Sequence, residues 1–367
     1  MEKILDNPEL LASKQKNVRA TGLILFIGAV GLALARIFNY LLVKFNAFSG
    51  MDEVTESIVG DLIFTLITQA IFLFLSTFLV YKLYMKGKTK DFLKVSNVRP
   101  VSVGVCLIAV VVGLLAPVFS SLINLIVNVV FLMIGVNIPT SATVLPENFN
   151  FWVLLINVVL TAVFPGICEE IFNRGIVLGG IRSMLPEWAT VLMGGLIFGL
   201  FHQYVFQTFY TGAFGMVIVF ITLKTRSSLP AMIIHFTNNF IAVLTEFASF
   251  YGWKFMSFQT MISELDPMLI IPALILGVGA FALSVFLLLK CHKADVNKKL
   301  IEKLVAEGKI PQEEAKSKIN VAGVSVIGGP LGDVVYYKPT ARDLVFYWGA
   351  FTVAILSTVF TLFWYML

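Results

Sequence analysis

Long apolar stretches separated by short polar ones set the plan of this chain. Runs of about 20 apolar residues recur from near residue 20 to the end, the length a helix needs to cross the hydrocarbon of a bilayer. They predict spans over 20–44, 58–81, 102–135, 151–165, 188–206, 209–223, 228–250, 268–289 and 343–366. A further helix over 167–184 follows Pro165-Gly166, a pair expected to break the helical path. The third stretch is too long for a straight crossing, and Pro117 is expected to kink it. Ser228 reads as a helix N-cap with Pro230 in the first turn. The expected fold is all-α, a polytopic transmembrane helical bundle of about eight to nine spans.

The polar stretches alternate in charge. Lys3 to Arg19, Lys82 to Arg99, Arg182, Lys224 with Arg226, and Lys290 with Lys293 alternate with stretches such as Asp52 to Glu56, 136–150 and Glu264 to Asp266. Basic loops stay on the cytoplasmic side, so the N-terminus is expected inside the cell membrane. Ala33-Leu34-Ala35 resembles a signal-peptidase site, but the apolar run continues through Leu41-Leu42-Val43, which argues against cleavage. The organisation reads as N-terminal spans over 1–150, a core over 151–250, a span within 251–290, a cytoplasmic insert over 291–342 and a last span over 343–367. Within the insert, Asn297 to Glu307 reads as a short helix stopped by Gly308, and Pro311-Gln312-Glu313-Glu314 as the start of another. Gly323 to Pro339 reads as loop or a small hairpin.

Composition agrees with this class: 58% hydrophobic and 13% charged, against about 25% charged in soluble domains. The net charge of +5 falls in the loops, so no nucleic-acid partner is expected. The three cysteines, 106, 168 and 291, have no metal or redox spacing.

Against this apolar background, Cys168-Glu169-Glu170-Ile171-Phe172-Asn173-Arg174 stands out. A charge in hydrocarbon costs roughly 2.5–3.5 kcal/mol on insertion scales, so it persists where it is paired, hydrated or doing chemistry. Glu170 and Arg174 are four apart with the acid first, the favoured order for a helical ion pair. Glu169 points about 100° away and stays free to take a proton. Further along, Phe198 and His202 share one helix face, and His235 shares another with Asn239. A lone buried histidine is usually a hydrogen-bonded packing residue. Both intramembrane histidines and the Glu-Glu-Arg set fall within about 70 residues on three helices, which favours a functional site.

The pattern Glu-Glu-x-x-x-Arg (Glu169 to Arg174), Phe-x-x-x-His (Phe198 to His202) and His-x-x-x-Asn (His235 to Asn239) resembles the CPBP family of CAAX proteases and bacteriocin-processing enzymes, also called Abi proteins. The likeness covers about 150–245. It implies an intramembrane endopeptidase in which Glu169 is the general base and His202, His235 and Asn239 bind or polarise the substrate. Glu170, Arg174 and Phe198 take supporting places. The implied partners are a peptide or lipidated peptide and membrane lipid.

The chemistry of the residues is compatible with that likeness. Peptide hydrolysis needs an activated water and a stabilised oxyanion, which a carboxylate, imidazoles and an amide can supply. A second version places a divalent metal, zinc by ligand type, on Glu169, His202 and His235. No His-Glu-x-x-His or Gly-x-Ser-x-Gly occurs, and Gly332-Asp333 lacks the setting of an aspartyl protease. Gly195 and Gly199 form a Gly-x-x-x-Gly face for close helix contact. By residue count His235 is shallow and His202 far across the bilayer, so the motifs meet only if the fifth span is tilted, short or re-entrant. A common cavity open to the cytoplasm is expected. Two other classes remain: a non-catalytic bacteriocin-immunity or scaffold protein of the same fold, and a proton-relaying transporter. The latter should show repeated halves, and none is visible.

Overall fold

A computed structural model describes residues 8–136, 150–252, 265–308, 311 and 337–366. Among these residues there are helices and turns and no strand. Among the described residues nine long helices carry the fold: α1 (Pro8–Lys44), α2 (Glu53–Tyr84), α3 (Val103–Met133), α4 (Phe151–Met184), α5 (Glu187–Phe201), α6 (Val205–Thr225), α7 (Leu229–Phe250), α8 (Pro267–Ala306) and α9 (Ala341–Met366). All but α5, eight in number, are long and apolar enough to cross a membrane. Large apolar side chains such as Leu107, Ile126, Leu276, Phe286 and Phe360 point outward, as they do where the surrounding solvent is lipid.

The helices pack as two apolar groups. In one, α1, α2, the second half of α4 and α9 share a core that includes Ile24, Leu25, Leu73, Phe172 and Tyr347. In the other, α3, α6, α7 and α8 close around Val112, Ile218, Ile234 and Phe281. The segment Glu169–Arg174 and the end of α5 lie at the seam between the groups. α1 is locked to α9 by Asp343, whose buried carboxylate accepts from Arg19 Nε at 2.6 Å, Tyr337 Oη at 2.6 Å and the Thr340 N–H at 2.8 Å.

Three expectations are corrected. The helix does not break at Pro165-Gly166. α4 runs through them, with π-helical turns over Val158–Val163 and Ile171–Val177. A π turn before Pro165 lets the helix pass a residue that lacks an N–H. The real kink is at Gly175, whose φ of −83° and ψ of −105° are not helical. There a Cβ would sit 2.9 Å from Ser96 Cα, so the 96–99 loop presses on a residue without a side chain.

The fifth stretch does not run straight to residue 206. α5 ends at Phe201 after 15 residues, about 22 Å, short of the hydrocarbon thickness. The turn that follows is pinned inside the protein. Gln203, fully buried at φ +48°, donates to Ala29 O at 2.9 Å and accepts from Ser357 Oγ at 3.0 Å. Non-helical backbone at membrane depth is tolerated where protein surrounds it in this way. α5 and α6 form a hairpin whose open ends are tied by the Glu187–Lys224 ion pair.

Nor is there a separate helix over Asn297 to Glu307. α8 continues unbroken past Lys290 to Ala306 and stops at Gly308, which has φ +69°. The proposed helix start at Pro311-Gln312-Glu313-Glu314 and most of Gly323 to Pro339 lie outside the described residues.

Candidate active site

The site is built from α4, α5 and α7, with α1 and α2 closing one side. Glu170 is completely buried and has two partners. One is Arg174, as the i,i+4 spacing predicts: Arg174 Nε lies 3.2 Å from Glu170 Oε2, an ion-pair contact outside hydrogen-bond geometry. The other is His235 on α7, whose Nδ1 is 2.9 Å from Glu170 Oε1. A carboxylate facing this nitrogen makes Nδ1 the donor, which leaves Nε2 for chemistry. Arg174 is also fully buried, and its guanidinium lies over the Phe198 ring, 4.3 Å from the centroid. The same ring meets His202 edge-on at 5.0 Å and His235 at 5.6 Å. Phe198 thus lies between both imidazoles and the cation.

His202 caps α5. Its Nδ1 donates to Phe198 O at 2.8 Å, which again leaves Nε2 unengaged by that bond. Its own carbonyl accepts from Arg36 of α1. Glu169 accepts a 2.8 Å hydrogen bond from Gln69 of α2. Asn239 is held by its Nδ2 donating to Thr161 O at 2.9 Å and its Oδ1 accepting from Asn238 at 3.1 Å.

Glu169, His202, His235 and Asn239 all line one cavity of about 730 Å³. A smaller recess of about 190 Å³, lined by Arg36, Gln69, Asn173 and again Glu169 and His202, adjoins it. The short α5 hairpin is what lets the motifs meet, since Gly195 and Gly199 bring α5 against the backbone of α6 around Gly212.

The cavity does not extend the way the sequence suggested. Its floor is near the face that carries the basic loops, since His235 is about 9 Å along α7 from Leu229. Its walls rise the other way. On α3, Pro117 to Asn124 sit about 21–32 Å from Val103. On α7, Asn238 to Glu246 sit about 14–26 Å from Leu229. On α2 and α4, which start at the opposite face, the lining residues Asp61 to Gln69 and Leu160 to Pro165 fall in the first half. The cavity therefore leads to the face away from the basic loop Lys82–Arg99.

The zinc arrangement finds no cage. Among the described residues no group of three or more His, Cys, Asp or Glu is placed to hold a metal ion. Glu169, His202 and His235 share the cavity without converging on one point, and Glu169 is engaged by Gln69.

Two members of the site were not anticipated, Gln69 and Arg36. Each is an isolated polar residue in an apolar run, and that alone was a usable signal. The second partner of Glu170 was also missed.

A family model described as type II CAAX prenyl endopeptidase Rce1-like matches residues 150–241. The chain carries a Rce1-like domain. That stretch begins at the α4 N-cap and ends on α7, so the Rce1-like domain holds all three motifs and the floor of the cavity. It leaves Gln69 and Arg36 outside. No curated protein and no solved structure matches the chain.

Proposed function

We propose that the protein is an intramembrane endopeptidase of the CAAX-protease type, with Glu169 as the base. The observation that carries this reading is the convergence of Glu169, His202, His235 and Asn239 on one polar cavity inside an apolar bundle. The Rce1-like domain supports the reaction class and a peptide substrate.

Glu169 takes a proton from a water, and the hydroxide adds to the scissile carbonyl carbon. The resulting oxyanion accepts hydrogen bonds from the Asn239 amide and from Nε2–H of His235 when that ring carries a second proton. Glu170, at Nδ1 of His235, offsets charge that forms on that ring. His202, fixed by Phe198 O, positions the substrate carbonyl from the other wall. When the C–N bond breaks, the leaving amine collects the proton held by Glu169. Gln69 orients the carboxylate throughout. The substrate reaches this floor from the face opposite the basic loops, through walls that carry Asp61, Ser120, Asn124 and Glu246.

The test is cleavage of a quenched peptide library by purified protein in bilayer nanodiscs. Glu169→Gln keeps the side-chain shape and its contact with Gln69 and is expected to fold normally. Removing a general base lowers the rate about 10²–10⁴-fold. A Glu169→Gln protein that cleaves like wild type would overturn the assignment, and wild-type protein inactive on every peptide would favour the scaffold reading.

A further inference from the structure

On the basic face, away from the catalytic cavity, lies a second pocket of about 310 Å³. Three arginines from three different elements line it: Arg99 before α3, Arg182 on the last turns of α4, and Arg226 in the turn between α6 and α7. None of the three side chains has a hydrogen bond or an ion pair with any described residue, and no carboxylate lines the pocket. Like charges gathered this way repel unless a counter-charge joins them.

The frame that holds them is rigid. Ser227, buried, donates to Arg99 O at 2.6 Å. The Ser228 N–H donates to Asn97 O at 2.8 Å, and the Ser228 hydroxyl to Ser96 O at 3.1 Å. Asn97 in turn donates to Arg174 O at 2.9 Å, which ties the loop to α4. Arg226 itself sits at φ +53° and ψ +27°, a left-handed conformation that glycine adopts far more easily at a helix C-terminus. A cation is kept where the backbone would favour a residue without a side chain.

We propose that Arg99, Arg182 and Arg226 bind a phosphate group, and that its source is the headgroup of an anionic membrane lipid. Planar guanidinium groups suit phosphate oxygens, and several converging donors are what such an anion requires. The depth selects the lipid over a free ion. The three arginines stand within a few residues of Val103, Met184 and Thr225, the ends of α3, α4 and α6, where headgroups lie. Leu178 and Leu223 line the same pocket and suit the upper part of an acyl chain.

The experiment uses full-length protein in nanodiscs of phosphatidylcholine with or without phosphatidylglycerol, followed by detergent extraction and native mass spectrometry. Wild type is expected to retain phosphatidylglycerol and to show a higher unfolding temperature when it is present. Arg226→Gly removes a guanidinium while relieving the left-handed backbone, so it is expected to fold at least as well as wild type yet retain several-fold less lipid. Arg99→Gln/Arg182→Gln should lose retention altogether, while Lys290→Gln, a basic residue outside the pocket, should not. Inorganic phosphate is the competing probe: weak protection by it agrees with a headgroup site, and full protection that abolishes lipid retention shows a free-anion site and overturns the lipid source. Equal retention by wild type and all arginine variants overturns the site itself. These readouts do not involve peptide cleavage and stand apart from the protease reading.

Discussion

Replacing Glu170 by glutamine keeps the side-chain shape and removes its charge. In the wild type that charge is fully buried, 3.2 Å from Arg174 Nε and 2.9 Å from His235 Nδ1. Among the described residues Glu170 is the one ion-pair contact of Arg174, with Glu169 acting on it only from farther off, and the guanidinium nitrogens make no hydrogen bond. Glu170→Gln therefore leaves a completely buried cation without its contacting counter-charge, a situation that costs about 3–5 kcal/mol. The stacking of Arg174 on Phe198, worth about 2 kcal/mol when desolvated, remains in place and does not offset the loss. Glu170→Gln/Arg174→Met removes both charges, leaves an amide oxygen to accept from His235, and is expected to return to within about 1–2 kcal/mol of wild type. The measurement is reversible unfolding in mixed micelles titrated with dodecyl sulfate, followed by tryptophan fluorescence. A single variant that loses less than about 1 kcal/mol, or a double variant no more stable than the single, would refute the buried ion pair as described. The neighbouring Glu169→Gln should behave oppositely, stable but inactive, because Glu169 lines the cavity and makes no ion-pair contact with Arg174.

Other outcomes follow from the packing. Gly199→Ala would put a Cβ 2.3 Å from Thr208 O on α6, a backbone atom that cannot turn aside. It is expected to cost about 1–3 kcal/mol by the same unfolding measurement and to lower cleavage by moving His202. Gly179→Ala, with nothing within 4 Å, should be neutral or stabilise by up to about 1 kcal/mol through helix propensity. Asp343→Asn replaces an acceptor by a donor facing Arg19, Tyr337 and Thr340. A loss of about 2–3 kcal/mol is expected, and an unchanged unfolding midpoint would show that the α1–α9 lock contributes nothing. Gln69→Ala removes the only side-chain donor found on Glu169 among the described residues. The expected result is a fall in kcat of about tenfold, with folding and KM little changed.

The sequence by itself determined the helical class, most of the span boundaries and the residues of the motifs. The reason is that hydrocarbon punishes every unpaired polar group, so apolar length marks the spans and each ionisable residue within them stands out. The Glu170–Arg174 pair was readable for a similar reason: helical geometry places residues four apart side by side, and no tertiary contact is needed to know it. Local signals failed where a neighbour compensated for them. Pro165 and Gly166 look like a break, yet π turns carry α4 past them, while the actual kink falls at Gly175 because the 96–99 loop packs there. Only the tertiary structure decided that Glu170 also holds His235, 65 residues away, that Gln69 reaches Glu169 across 100 residues, and that the cavity rises away from the basic loops. Those facts depend on how tilted helices cross and on where a turn such as His202–Tyr204, with Gln203 fully buried, is pinned. Periodicity along one chain carries the face of each helix but not the angle or depth at which two faces meet.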